Sequence, residues 1–217
     1  MPAYNRARFL ERAINSVLFQ DCVNDSSIEL IIVNDGSIDN TDSVVQKIID
    51  AGNPKKHTIK YHKIDHIGEP GTVRNIALDM ANGEYIAYCD SDDYWLPHHL
   101  ATAMQRFNRN PDLGMVSNYW SLAEFEMTHD SINTKIVVQQ HPTWAVNTNC
   151  RVHKKSCIAT VGKFNTSRWG EDGDFFSRVE NSFKHEKTGI ITSVNGYIKG
   201  GNNLTYQFDQ GVKQRYY

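Results

Sequence analysis

The chain has no surplus of one charge: 23 lysines and arginines stand against 25 aspartates and glutamates, a formal net charge of −2. Its basic residues are scattered, so there is no electrostatic footprint for nucleic acid. No apolar run reaches the roughly 20 residues that a membrane-spanning helix needs. The opening residues are not the charged, apolar, small-residue pattern of a secretion signal. A soluble, cytoplasmic protein is expected, with room for peripheral association at the inner face of a membrane. Cysteine is scarce, and Cys22, Cys89, Cys150 and Cys157 are spread as in a reduced intracellular protein rather than a disulfide framework. Cys150, His153 and Cys157 match no standard zinc-finger spacing and have no evident fourth ligand. Repeats, low-complexity tracts and linkers are also missing, so the 217 residues read as one continuous domain with a sizeable core.

What is present is most telling at Tyr85-Ile86-Ala87-Tyr88-Cys89-Asp90-Ser91-Asp92-Asp93, where a short apolar run ends in three carboxylates within four residues. The run reads as a buried strand after the turn signal Asn82-Gly83. Carboxylates this close repel, and a divalent cation with oxygen ligands relieves that repulsion, its shell completed by a phosphate-bearing substrate. A solvated acidic turn is the plain alternative for such a cluster.

The order of elements favours the metal. Ala7–Gln20 predicts a helix with the stripe Phe9, Leu10, Ala13, Ile14, Val17 and Leu18, and Asn5 as its N-cap. Leu30–Val33 predicts a strand buried on both faces, followed by the turn Asn34-Asp35-Gly36-Ser37. Asp39-Asn40-Thr41 leads into a helix with Val44, Val45, Ile48 and Ile49 inward, closed near Gly52. Thr58–Ile64 reads as a strand, Thr72–Ala81 as a helix and Tyr85–Cys89 as a strand. Pro97 suits the first turn of a helix carrying Leu100, Met104 and Phe107. His98 and His99 read as helix-surface residues. This alternation predicts an α/β fold with a parallel sheet covered on both faces. Ligands of such sheets bind beyond the carboxyl ends of the strands, so Asp35 and the Asp90, Asp92, Asp93 group are expected to face one crevice. Beyond Gly114, Met115–Phe125, Lys135–Gln139 and Trp144–His153 read as extended pieces. Glu171–Phe183 reads as a helix with Phe175, Phe176, Val179 and Phe183 inward, its first-turn acids Glu171, Asp172 and Asp174 suiting the helix dipole. Ile190–Tyr197 reads as a last strand before a Gly/Asn-rich loop.

Taken in order, these segments resemble the nucleotide-sugar glycosyltransferases of GT-A fold, family 2. The matching blocks are Pro2-Ala3-Tyr4-Asn5-Arg6 with the first helix, and Glu29–Ser37 with Asp39-Asn40-Thr41. They continue with Gly71, Arg74-Asn75 and Ala81–Ile86, then Asp90-Ser91-Asp92-Asp93, and finally Trp169-Gly170-Glu171-Asp172 with Asp174-Phe175-Phe176 and Arg178. The resemblance implies a mostly parallel central sheet with helices on both faces and a smaller mixed acceptor-side region. It implies a donor-binding half at 1–113 and an acceptor-binding, catalytic half at 114–217. The family chemistry is inversion at the sugar's anomeric carbon by a single displacement. Asp92, with Asp90 or Asp93, would hold Mn²⁺ or Mg²⁺, both partial to oxygen donors. Asp172 would be the base and Glu171 its neighbour, with Asp174 next in line. Asp35 would meet the nucleobase or ribose, and Pro2, Ala3 and Tyr4 would border the base pocket. Arg74 and Ser91 would line the nucleotide, and Lys199 would serve as a phosphate partner where relatives carry a His or basic residue. A surface ion pair is the plain alternative for Arg74.

The expected partners are a UDP-sugar donor and a glycan, glycolipid or glycoprotein acceptor. Trp144, Trp169 and Tyr206 are sugar-stacking candidates and equally core aromatics. The family carries an apolar strand just before the Pro-Ala-Tyr-Asn block, and Met1 stands inside that motif, which predicts residues upstream. Two other functions compete with a transferase of this kind. A nucleotidyltransferase would show a Gly-rich, Lys/Arg-containing phosphate loop after the first strand, which Pro2–Arg6 is not. A non-catalytic sugar-nucleotide or glycan-binding module would need no base such as Asp172.

Overall fold

The computed structural model describes residues 1–21, 26–52, 55, 57–127, 132–137, 147–167 and 169–198. Cys22, Trp144, Lys199, Tyr206 and the loop at 200–203 lie outside the described residues. Two sheets carry the fold. In the first, β1 (Pro2–Ala3), β2 (Glu29–Asp35) and β3 (Thr58–Ile64) run parallel in the order β1-β2-β3. Helices α1 (Ala7–Leu18), α2 (Thr41–Ala51) and α3 (Pro70–Met80) connect and cover it.

β2 shows why the run at 30–33 is apolar throughout. Leu30 and Ile32 pack with Leu10, Ile14, Val17 and Val45. Ile31 and Val33 join Val73, Leu78 and Ile86 on the other side. Successive strand side chains face opposite ways, so helices on both faces demand apolar residues at every position. The α1 stripe is buried at all six expected residues.

The second sheet holds β4 (Tyr85–Ala87), β5 (Tyr94–Trp95), β6 (Leu113–Met127), β7 (Ile132–Val137), β8 (Arg151–Lys154) and β9 (Lys184–Ile198). Its order is β4-β8-β6-β9-β5, with β7 on β6. Helix α4 (His99–Arg109) leads into β6, α5 (Cys157–Val161) follows β8, and α6 (Glu171–Ser182) precedes β9. Phe175, Phe176 and Val179 of α6 share one core with Ile31 and Val33 of β2 and Met115 of β6. Helix α6 and the first sheet are therefore set against a common apolar layer.

Several local expectations change. The strand expected at 85–89 ends at Ala87 and pairs antiparallel with Arg151–Lys154 rather than extending the parallel sheet. Hydrophobicity marks such a strand as buried but not which distant segment lies beside it. Asn5 is not the N-cap of α1. It adopts φ 52°, its side-chain oxygen accepts from the Ile38 N–H at 2.9 Å, and Arg6 takes the cap position without a side-chain bond. Pro97 lies just before the α4 cap residue, His98, and outside the helix. Nor is His99 on the surface: it is fully buried, stacked on Trp95 and bonded through Nδ1 to Thr192 Oγ1 at 2.7 Å.

Candidate active site

At the end of β2, Asp35 is buried and its carboxylate is spoken for. Oδ1 accepts the Ile67 N–H at 2.7 Å, and Oδ2 accepts the Gly68 N–H at 2.9 Å. Nδ1 of His66 lies 3.0 Å from Oδ2. The 66–68 loop is thereby drawn onto the strand end. Gly36 makes room for it, since a Cβ there would come 2.6 Å from the His66 nitrogen at a φ of +69°. The loop presents the His66 ring in a stack with Tyr4, centroids 4.0 Å apart. Tyr4 is exposed, whereas Ala3 is buried and hydrogen-bonded into the sheet beside Asn34.

Beyond β4 the acidic turn divides its labour. Asp93 is buried and faces inward: it accepts the Gly196 N–H at 2.7 Å and a bond from the Asn149 side chain. Burial, with Asp92 and Asp90 nearby, pushes its carboxyl well above the usual range. Asp92 is half-buried beside Arg6, whose Nε is 3.3 Å from Oδ2. Burial raises Asp92 too, Arg6 opposes the shift, and Asp90 adds to it. Ser91 is buried between these acids.

Arg74 joins this turn to α6. Its guanidinium is buried, with Nη1 2.7 Å from Glu171 Oε1 and Nη2 3.0 Å from Asp90 Oδ1. Burial alone would weaken its hold on the proton, but Asp90 and Glu171 outweigh that, so Arg74 stays charged. The plain reading of Arg74 as a surface ion pair gives way to a buried bridge. Gly71 permits the close approach of α3 to α6, because a Cβ there would be 2.4 Å from the Asn165 carbonyl and 3.0 Å from Glu171 Cγ. Burial raises the Glu171 carboxyl, with Arg74 opposing and Asp172 adding to the rise.

Asp172 is half-buried, and its carboxylate accepts the Thr148 hydroxyl and the Gly173 N–H, both at 2.8 Å. Asp174 is exposed and engaged with Arg178 at 2.8 Å, a contact that lowers its carboxyl. It stands outside the group formed by Arg74, Asp90, Glu171 and Asp172.

Thr148, Asn149, His66 and Arg6 complete these contacts without having been singled out as site residues in the sequence. For Asp35's partners the only hint was the loop after β3. For Thr148 and Asn149 there was none, since Trp144–His153 reads as extended, as Arg151–His153 indeed is within β8, whereas Thr148–Cys150 forms a 3₁₀ turn.

The residues suit a hard divalent cation. Asp90 and Asp92 are oxygen donors on one turn, and their negative charges raise the carboxyls around them. Among the described residues no three metal-binding side chains are already gathered, so an ion here would need oxygen from a ligand as well.

Residues 1–159 match the sequence profile of Glycosyl transferase family 2, and the chain belongs to that family. It is 35% identical over 132 residues to an uncharacterized glycosyltransferase of Nostoc sp., covering 61% of this chain and 39% of the relative. It is 32% identical over 139 residues to the chondroitin synthase of Pasteurella multocida, covering 58% and 14%. The chain thus spans well under half the length of these relatives. Among solved structures, S. aureus TarS 1-349 in complex with UDP-GlcNAc superposes with a TM-score of 0.73 at 19% identity, over 94% of this chain and 59% of that one. The mannosyltransferase PcManGT from Pyrobaculum calidifontis, in complex with GDP-Man and Mn²⁺, gives 0.70 at 18%, over 95% and 57%. These likenesses establish the fold, a GT-A arrangement of mixed α/β sheets.

Proposed function

We propose that the protein is an inverting, metal-dependent glycosyltransferase that moves a hexosyl or N-acetylhexosaminyl group from a UDP-sugar to a hydroxyl of a glycan, glycolipid or glycoprotein. The observation that carries this reading is the buried Arg74, whose single guanidinium holds both Asp90 and Glu171. Arg74 thus ties the acidic turn after β4 to the acidic start of α6, a proximity that a donor subsite and a base would need. The donor half at 1–113 supplies Pro2, Ala3, Tyr4 and Asp35 around the nucleoside, and Arg74, Asp90 and Ser91 along the diphosphate, with Lys199 as a further phosphate partner. The half at 114–217 supplies Glu171 and Asp172 on the acceptor side.

Asp90 and Asp92 would hold Mn²⁺ or Mg²⁺, with Asp93 bracing the turn from inside. When bound, the ion supplies charge neutralisation for the leaving diphosphate. Asp172 takes the proton of the acceptor hydroxyl as that oxygen bonds to the anomeric carbon. The bond from that carbon to the diphosphate breaks on the opposite side, and the sugar inverts. Arg74 anchors Glu171 and counters the rise that burial imposes on its carboxyl, and Asp172 keeps acceptor capacity for the acceptor hydroxyl. Support for the donor class comes from the family and from relatives whose structures contain UDP-GlcNAc or GDP-Man. Cys89, Cys150 and Cys157 are free and buried, which fits a reducing, cytoplasmic setting.

The test is nucleotide release from a panel of UDP-, GDP- and dTDP-sugars in Mn²⁺, Mg²⁺ or EDTA. UDP release that needs the metal is expected. Full turnover in excess chelator, or release from none of the panel, would overturn the reading.

A further inference from the structure

We propose that the 3₁₀ turn at Thr148–Cys150 is a positioning clamp, in which Thr148 orients the Asp172 carboxylate and Asn149 fixes the Asp90–Asp93 turn. The inference rests on Asp172 being the base and on the acidic turn bearing the diphosphate side of the donor. Two neighbouring side chains reach the two halves of the reaction. Thr148 is 3% exposed and donates its hydroxyl to Asp172 Oδ2 at 2.8 Å, while the Gly173 N–H occupies Oδ1. A carboxylate has about four acceptor positions. One contact on each oxygen fixes its plane and still leaves capacity for a substrate hydroxyl.

Asn149 is 1% exposed. Its Oδ1 accepts the Asp90 N–H at 2.7 Å, and its Nδ2 donates to Asp93. Its backbone carbonyl accepts the Trp95 indole N–H at 3.1 Å. Only a side chain with both an acceptor and a donor serves these two contacts. An aspartate would set charge against Asp93, and a leucine would leave the Asp90 amide without this partner. Cα atoms of consecutive residues stay about 3.8 Å apart across a trans peptide, and the described backbone has no cis bond. The contacts to Asp172 and to the Asp90–Asp93 turn therefore come from adjacent residues of one short turn. Thr148 and Asn149 are positioning residues, since each acts through another side chain or amide.

The experiment compares Thr148→Val, Thr148→Ser and Asn149→Ala. Three quantities are measured: donor kinetics with the UDP-sugar that the panel identifies, melting temperature, and hydrogen exchange of the Asp90 amide in the free protein. A misplacement of about 1 Å can cost roughly a hundredfold in rate. Thr148→Val should thus lower kcat by about ten- to a hundredfold while leaving donor KM and Asp90 exchange unchanged, with melting temperature falling no further than the loss of one hydrogen bond explains. Thr148→Ser should recover most of that loss. Asn149→Ala should speed Asp90 exchange and raise donor KM.

Wild-type kcat in Thr148→Val, or unchanged Asp90 exchange in Asn149→Ala, would overturn the proposal. Unfolding of Thr148→Val and Thr148→Ser alike would mark the turn as purely structural and overturn it too. Wild-type kcat in Asp172→Asn is a different failure, that of the base assignment itself. The exchange arm needs no donor and stands by itself.

Discussion

The turn after β2 and the turn after β4 both set aspartate at the carboxyl end of a strand, yet the protein treats the two carboxylates differently. Asp35 is matched by backbone N–H groups from Ile67 and Gly68, with His66 against it. Its charge is consumed in holding a loop. At the second turn, Asp93 is likewise consumed, by Gly196 and Asn149, while Asp90 pairs with Arg74 and Asp92 with Arg6. Backbone N–H groups occupy both oxygens of Asp35, whereas the arginine contacts fall on one oxygen each of Asp90 and Asp92 and leave acceptor capacity for a further ligand. The first turn fastens the 66–68 loop, and the second is the one to which the proposed reading assigns the diphosphate and its cation.

The sharpest way to break this contrast is at Asp172, which the proposed reading makes the base. Asp172→Asn keeps the shape and the Thr148 contact, and should cut kcat by about a hundredfold to ten-thousandfold with donor affinity nearly intact. Glu171→Gln should be milder. Steady-state kinetics alongside UDP titration separate the two effects, and a wild-type rate in Asp172→Asn would move the chemistry elsewhere.

Next in size is the bridge between that turn and α6. Arg74→Gln leaves Asp90 and Glu171 facing each other without their cation, and removal of one partner from a buried pair costs about 3–5 kcal/mol. Urea denaturation should register the loss. A change inside the error of that measurement would mean that Arg74 is not the tie between the two regions.

The two turns should then differ in how they depend on metal. Asp35→Asn forfeits a charge-assisted bond to the 66–68 loop, about 1.5–3 kcal/mol, and should weaken UDP binding equally with and without Mn²⁺. Asp92→Asn should weaken it only when Mn²⁺ is present. Calorimetric titration in both conditions checks this, and the distinction fails if both variants respond to metal alike.

The smallest effect concerns pH. Burial holds His99 down to about 3 and His153 to about 4. Each stays neutral in the folded chain, while the unfolded chain takes up a proton near 6.5. Their contribution to stability is therefore full above about 6.5 and is lost as pH falls from there, toward 4 for His153 and toward 3 for His99. Urea midpoints should drop across that window, and His153→Gln should make the slope shallower. An unchanged slope would show that His153 does not titrate in this way.

Much of this was legible along the chain. The α1 stripe, the doubly buried β2, the bounds of β3 and the acids that open α6 all follow from periodicity and short-range chemistry, which act between residues close in sequence. So does the grouping of Asp90, Asp92 and Asp93, because a tetrapeptide displays its own charge. His99 was misread as a surface residue because its burial comes from Trp95 and Thr192, and a histidine beside a helix start carries no sign of either. Only the tertiary structure decided which acid of the turn faces inward, that Tyr85–Ala87 pairs with Arg151–Lys154, and that Arg74 spans from Asp90 to Glu171. It also decided that Thr148 and Asn149 reach the two acidic groups. Those contacts join segments far apart in sequence, and their free energy depends on burial and on distances that exist only once the layers have packed.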